Sequence, residues 1–239
     1  MLVRGNSKLG TSIWQFSLPA GETSCPGRTE LCNDRCYAQR GFFAMPALKD
    51  KLLSNYGRTY HDDFAQAITN ELVQNKVTIC RIHVAGDFYS AEYVKKWIEI
   101  VRLNPTVKFF TYTRSWRFSQ KMRTYLEILG SHANMRMWWS LDRETGYPVA
   151  VPKRVRLAYM AVAIDDIPSE PVNLVFRDYE LRGVVQKRIA GAVVCPPENG
   201  VTETTCQKCG ICWKDGPATN NAAKEGIAST RRIPLPLAA

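Results

Sequence analysis

The chain has 239 residues, 45% of them hydrophobic, with 32 Lys and Arg against 22 Asp and Glu and a formal charge of +10. A chain of this length buries enough apolar surface to need no disulfide staples, and it holds no run of about 18 or more apolar residues that would read as a membrane span. The charge favours anionic partners such as nucleic acid or phosphorylated metabolites. Its cations are scattered, however, with local concentrations at residues 114–123, 153–156 and 231–232, which suits a solvated surface as well as a binding face.

The first residues, MLVRGNSKLGTSIWQF, carry no continuous apolar stretch after Arg4, so no signal peptide is expected. A reducing cytosol follows, where clustered thiols are more often metal ligands or catalytic groups than disulfides. Residues 11–18 predict a strand ending at Pro19 and Gly21. Residues 61–75 predict a helix burying Phe64, Ala67, Ile68, Leu72 and Val73. VTICRIHV, residues 77–84, is rich in β-branched residues and predicts a strand running into Ala85, Gly86 and Asp87. Ser90 then caps a helix over 90–103, with Tyr93, Trp97, Ile100 and Val101 inward.

Residues 107–113 predict another strand, 119–129 a helix burying Met122, Tyr125, Leu126 and Leu129, and 134–141 a strand. A helix is expected over 154–164, then strands at 172–176 and 190–194. From Cys195 onward the chain is turn-rich and ends in a Pro-containing tail expected to be partly disordered. Strands alternating with helices predict parallel βαβ units with right-handed crossovers. Six strands suit an α/β partial (β/α)6 barrel over residues 1–194, with ligand loops at the carboxyl ends of the strands. Residues 195–239 form a cysteine-rich metal-binding extension and tail. Gly86, Asp87, Arg114, Ser140 and Asp142 all fall at predicted strand ends.

Seven of the eight cysteines fall into two groups: Cys25, Cys32 and Cys36, then Cys195, Cys206, Cys209 and Cys212. Thiolates are costly to hold together without a metal. Three thiolates can hold a four-iron, four-sulfur cluster and leave one iron open. In the second group Cys-x-x-Cys-x-x-Cys cannot be divided into the two separate pairs of a zinc ribbon, which favours a second iron-sulfur cluster while structural zinc remains open. Cys80 reads as a small hydrophobe and His83 as a hydrogen-bonded core residue. His61 and His132 have no evident partner. The aromatics Phe109, Phe110, Tyr112, Trp116, Trp138 and Trp139 suit either core packing or stacking of a base.

The segments CPGRTELCNDRCYA, RIHVAGDFYSAEYVKKW, FFTYTRSWR and TCQKCGICW, in that order, resemble the phage "gene product 88" family, which is similar to the radical S-adenosylmethionine enzymes. The resemblance implies a partial barrel of radical S-adenosylmethionine type with a cysteine-rich C-terminal extension and a 4Fe-4S cluster on Cys25, Cys32 and Cys36. It also implies reductive cleavage of S-adenosylmethionine to a 5'-deoxyadenosyl radical that acts on an unknown substrate, with a nucleotide or nucleic acid among the candidates. Here the gaps between the cysteines are six and three residues, wider than in the usual radical-enzyme signature.

In such enzymes a short glycine and acid motif holds the methionine amino group, which puts Gly86 and Asp87 in that role. Arg114 would meet a carboxylate or phosphate, Ser140 and Asp142 a ribose hydroxyl, and Tyr37 the adenine. The same residues have plainer readings: Asp87 as stabilising charge at a helix start, Arg114, Ser140 and Asp142 as surface or salt-bridge groups, and Tyr37 as shielding. Implied partners are S-adenosylmethionine and an electron donor such as flavodoxin or ferredoxin, in the cytoplasm of the host cell. The second group would relay electrons or tie the C-terminus to the barrel. The alternative is a noncatalytic phage protein, stabilised by zinc or a cluster, that binds nucleic acid.

Overall fold

A computed structural model describes residues 1–181, 188–198 and 204–214. The expected tail, with Arg231 and Arg232, lies outside the described residues. The strands are β1 (Val3–Arg4), β2 (Ile13–Phe16), β3 (Ile79–Ile82), β4 (Lys108–Thr113), β5 (Met135–Leu141), β6 (Val155–Ala161), β7 (Leu174–Arg177), β8 (Arg188–Ile189) and β9 (Ala192–Val194). The helices are α1 (Glu30–Asp34), α2 (Pro46–Arg58), α3 (Phe64–Gln74), α4 (Ala91–Leu103), α5 (Gln120–Ser131) and α6 (Cys206–Cys209).

Among the described residues all nine strands join one sheet in the order β1-β2-β3-β4-β5-β6-β7-β9-β8. From β2 through β7 to β9 every pairing is parallel, and β1 and β8 are antiparallel edges. This is a mixed α/β fold built on a large, mostly parallel sheet. Among the described residues no helix is long and apolar enough to cross a membrane.

The helices form where capping and periodicity agree. Ser90 accepts a hydrogen bond from the Tyr93 backbone N–H at 3.2 Å, and Ser119 caps α5 in the same way through Met122, also at 3.2 Å. Tyr93, Val94, Trp97, Ile100 and Val101 of α4 are buried together with Phe64, Ile68 and Leu72 of α3 and Met122, Leu126 and Leu129 of α5. They cover the sheet face that presents Phe16, Cys80, Ile82, Phe109, Met137 and Trp139. Cys80 is fully buried there, and burial pushes its thiol well up, so it packs as a small apolar group. Val73 departs from the expected helix face: it points outward and is 68% exposed.

Two expectations are corrected. Residues 154–164 hold no helix: β6 occupies Val155–Ala161 and pairs in parallel with β5, Leu141 opposite Tyr159. Val155, Leu157, Tyr159 and Ala161 point to the helix layer and alternate with Arg156, Ala158 and Met160. Leu, Ala and Met are good helix formers, and the pairing with β5 overrides that local preference. The strand expected over 190–194 begins with a tight turn instead. Ala190 and Gly191 have φ of +46° and +80° and join β8 to β9 as a two-residue hairpin, the geometry that matches strand twist.

Trp97 is fully buried and sits edge-on to Phe16 at 5.5 Å and Phe64 at 6.0 Å. Replacing it with Ala should cost about 3–5 kcal/mol, read as a lower midpoint of urea unfolding, whereas Val73→Ala on the exposed side of α3 should leave the midpoint within about 0.5 kcal/mol of the parent.

Candidate functional site

The carboxyl ends of the parallel strands meet the cysteine loop that follows β2. The loop is seated by two close backbone approaches. A Cβ on Gly27 would lie 2.2 Å from the Arg114 carbonyl oxygen, and one on Gly86 would lie 2.7 Å from Ser24 Oγ. Gly86 also has a φ of +78°, which favours glycine. The Cys25 segment is thus held between the turns that follow β3 and β4.

Thr29 fixes the next step of the loop. Its Oγ1 accepts from the Cys32 backbone N–H at 2.9 Å, capping α1, and donates to Asp142 Oδ2 at 2.7 Å. Glu144 accepts from the Leu31 N–H at 2.9 Å. Across the mouth, Arg35 pairs with Asp178, just past β7, at 3.1 Å. The loop therefore spans from β3 to β7.

Under it lies a cavity of about 380 Å³, within the range of small-molecule sites. Cys25, Cys32, Cys36, Tyr37, Gly86, Asp87, Arg114 and Ser140 all line it, together with residues of the sheet face opposite the helices, among them Arg81, Tyr112, Ala158, Met160 and Phe176. Walls drawn from five successive parallel strands mean that the sheet wraps this space.

Burial is the main force on the ionisable groups here. It pushes the Cys25 thiol up to about 12, with neighbouring Asp87 and Cys32 adding to the effect. Burial also raises Cys32, where Arg114 opposes the shift and Cys36, Asp142 and Asp87 add to it. Asp87 is raised by burial against the hydrogen bonds that it accepts, including those from the backbone N–H of Phe88 at 2.7 Å and of Arg114 at 2.8 Å. A cation placed among these groups would reverse that logic, favouring thiolate and carboxylate.

Arg114 connects the parts. Its Nη1 is 3.2 Å from Cys32 Sγ and its Nη2 is 3.1 Å from Asp142 Oδ2, while Nε has no hydrogen-bond partner among the described residues. Asp142 itself does not line the cavity. Its second oxygen accepts from the backbone N–H groups of Glu144 and Thr145, each at 2.9 Å, so it holds Arg114 from behind that cavity and borders a second hollow beside Tyr147 and Tyr159. The Tyr37 hydroxyl donates to the Val84 carbonyl and its ring meets Phe43 edge-on, with centroids 6.0 Å apart.

The second cysteine group sits on the same sheet face, with Cys206 and Cys212 near the amino ends of β2 and β3 and Cys195 just past β9. Cys206, Cys212 and Trp213 pack with Ile13, Ile79 and Phe110, and Cys195 packs with Trp138, Ala158 and Leu174. The segment is tied by backbone bonds from Cys206 N–H to Lys8 O and from Gln207 N–H to Leu9 O, both 2.9 Å, and by Trp138 Nε1 donating to Cys212 O at 3.0 Å. Burial raises Cys195 and Cys206 and pushes Cys212 up to about 12; Cys206 and Cys212 add to the shift of Cys195, and Cys209 adds to those of Cys206 and Cys212. Arg81 lies between the two groups, near Tyr37 on one side and Cys206 and Cys212 on the other. Among the described residues no three or more His, Cys, Asp and Glu side chains are arranged to hold a metal ion.

Several cavity residues were not singled out in the sequence. Arg81 had a signal, a charge inside the apolar run VTICRIHV. Lys8, Arg35, Asp178 and Glu198 had none, because the ion pairs Lys8–Glu198 and Arg35–Asp178 join positions distant in the chain. His83 is 2% exposed, and its φ of +61° is a strained value for a residue with a side chain. Its ring packs on Phe88 at 4.6 Å, with Nε2 2.9 Å from the Tyr93 hydroxyl.

The family model for Gene product 88 matches residues 1–215. The chain belongs to the Gene product 88 family. It is 28% identical over 227 residues to the Gene 88 protein of Mycobacterium phage L5 and 27% identical over 228 residues to that of Mycobacterium phage D29; each match covers 87% of this chain and 85% of the relative. No solved structure matches the chain.

Two outcomes are expected of this Gene product 88 family member. Gly27→Ala should lift the cysteine loop from the Arg114 backbone, so that Cys25 and Cys32 react faster with a maleimide than in the parent; equal rates would mean the loop is held by other contacts. His83 is held neutral, its pKa lowered to about 3 by burial and by Arg81, against an ordinary 6.5. Between those values the unfolded chain binds the extra proton, so His83 makes stability fall by about 1.4 kcal/mol per pH unit below about 6.5. Urea midpoints measured from pH 7 to 5 should decline less in His83→Asn, which removes the titrating ring and tolerates positive φ.

Proposed function

We propose that the cavity is the active site of a radical S-adenosylmethionine enzyme, working in the reducing cytoplasm of the phage host. The observation that carries the reading is that Cys25, Cys32 and Cys36 line one cavity with buried Asp87 and half-buried Arg114, at the carboxyl ends of β3 and β4. The donor set fits the group. Three thiols lining one cavity are the number that a four-iron, four-sulfur cluster with one open iron requires. The wrapped parallel sheet supports the partial-barrel reading.

Cys25, Cys32 and Cys36 would hold the four-iron, four-sulfur cluster. Reductive cleavage of S-adenosylmethionine is the chemistry that the cluster supplies when bound, with electrons from a donor of the flavodoxin or ferredoxin kind. The chain's own residues bind, orient and exclude water. Asp87 accepts from the methionine ammonium, a charge that offsets the cost of its burial, and Gly86 lets the backbone come close. Arg114 meets the carboxylate with its guanidinium, aimed by Asp142, which acts as a positioning residue. Ser140 faces the ribose, and Tyr37 borders the adenine. Cys195, Cys206, Cys209 and Cys212 would hold a second cluster beneath the cavity, with Lys8 and Arg81 offsetting its negative charge.

Anaerobic reconstitution tests the reading. The parent protein should turn brown, bind about eight irons per chain if both clusters are cubanes, and release 5'-deoxyadenosine from S-adenosylmethionine under reduction. Cys32→Ala should abolish that release and lose roughly half the iron, whereas Cys209→Ala should retain iron at the first site. Equal release by the Cys32 variant and the parent, or zinc as the bound metal, would remove the assignment.

A further inference from the structure

The segment that follows the third cysteine stands out from the surface around it. Residues 39–42 and 44–47 are exposed, including Phe42 at 82% and Met45 at 53%. Singly exposed apolar side chains are ordinary; here two of them stand beside a cavity and among cations. The same stretch carries Arg40, Lys49 and Lys51, all exposed, against one acid, Asp50. Leu52 and Asn55 anchor α2 beneath it.

Phe42 faces solvent, while the next residue, Phe43, lines the cavity together with Tyr37, the two rings edge-on with centroids 6.0 Å apart. Inside, most of the lining cations are already paired, Lys8 with Glu198, Arg28 with Glu22, Arg35 with Asp178 and Arg114 with Asp142, so the exposed segment carries the cations that would meet a strand. Flat apolar faces interleaved with cations are the combination that binds single-stranded nucleic acid, because every base has a face to stack and every phosphate a charge to neutralise.

We infer that residues 39–51 are a platform for single-stranded nucleic acid, set so that one nucleotide of the strand enters the cavity. The inference rests on reading that cavity as the active site, and it names the substrate class. Positive charge alone would also suit an acidic protein. Exposed Phe42 beside Arg40, Lys49 and Lys51 favours a strand, since each nucleotide carries a flat base and a charged phosphate in one unit, whereas Asp and Glu carry charge without a ring.

The test is fluorescence anisotropy of the full chain with a labelled oligonucleotide of about 12 nucleotides, within the span of single-strand sites. Saturable binding that weakens steeply with salt is expected. Phe42→Ala should weaken it about tenfold, and Phe42→Trp should keep it, because a stacked base is lost in the first and retained in the second. No saturable binding at low salt, or unchanged binding by Phe42→Ala, overturns the platform. Polyglutamate of matched charge competing as well as the strand also overturns it, and assigns the face to an acidic protein. Iron content and 5'-deoxyadenosine release, measured on the same preparations, separate the two claims. Strand binding lost with cleavage retained removes only the platform; cleavage lost with strand binding retained removes only the active-site reading.

Discussion

A buried carboxylate, Asp142, governs the geometry of the cavity. One oxygen takes the Thr29 hydroxyl and the Arg114 guanidinium, and the other takes two backbone N–H groups. A charge this deep is tolerable only when its acceptor positions are filled, so the donors are held where they stand. Thr29 carries the start of α1 and with it Cys32; Arg114 carries the end of β4. Two segments far apart in the chain are thereby locked to one point at the end of β5.

Close packing does the rest. Gly27 and Gly86 let the cysteine loop lie directly on the turns after β4 and β3, and Arg35 reaches the far side of the mouth at Asp178. A loop fixed at four strand ends, those of β3, β4, β5 and β7, keeps its thiols over one cavity with only the short helix α1 as regular structure of its own. Such rigidity is what a site needs if its groups are to be oriented before a ligand arrives.

Below the cavity the sheet is layered. Tyr112 stacks on Trp138 at 5.5 Å and lies under the Arg81 guanidinium at 5.4 Å, separating the upper thiols from the lower group around Cys206 and Cys212. Lys8 and Arg81 sit near the lower thiols, so negative charge gathered there would be met from both sides. In the proposed reading this layer keeps two metal groups apart while leaving both within the same wrapped sheet.

The elements legible in the sequence are those whose patterns are local: the caps at Ser90 and Ser119, the apolar faces of α3, α4 and α5, the β-branched run of β3, and the grouping of the thiols. The sequence also marked Asp87, Arg114, Ser140 and Asp142, because polar residues following apolar strands stand out. It misread 154–164, where helix-forming residues are drawn into β6 by pairing with β5, a non-local effect. Long-range contacts alone set Asp142 behind Arg114 instead of in the cavity, join Lys8 to Glu198, and bring Cys206 and Cys212 to the amino ends of β2 and β3. Those facts depend on which distant segments touch, and contact between distant segments leaves no periodic trace in a single chain.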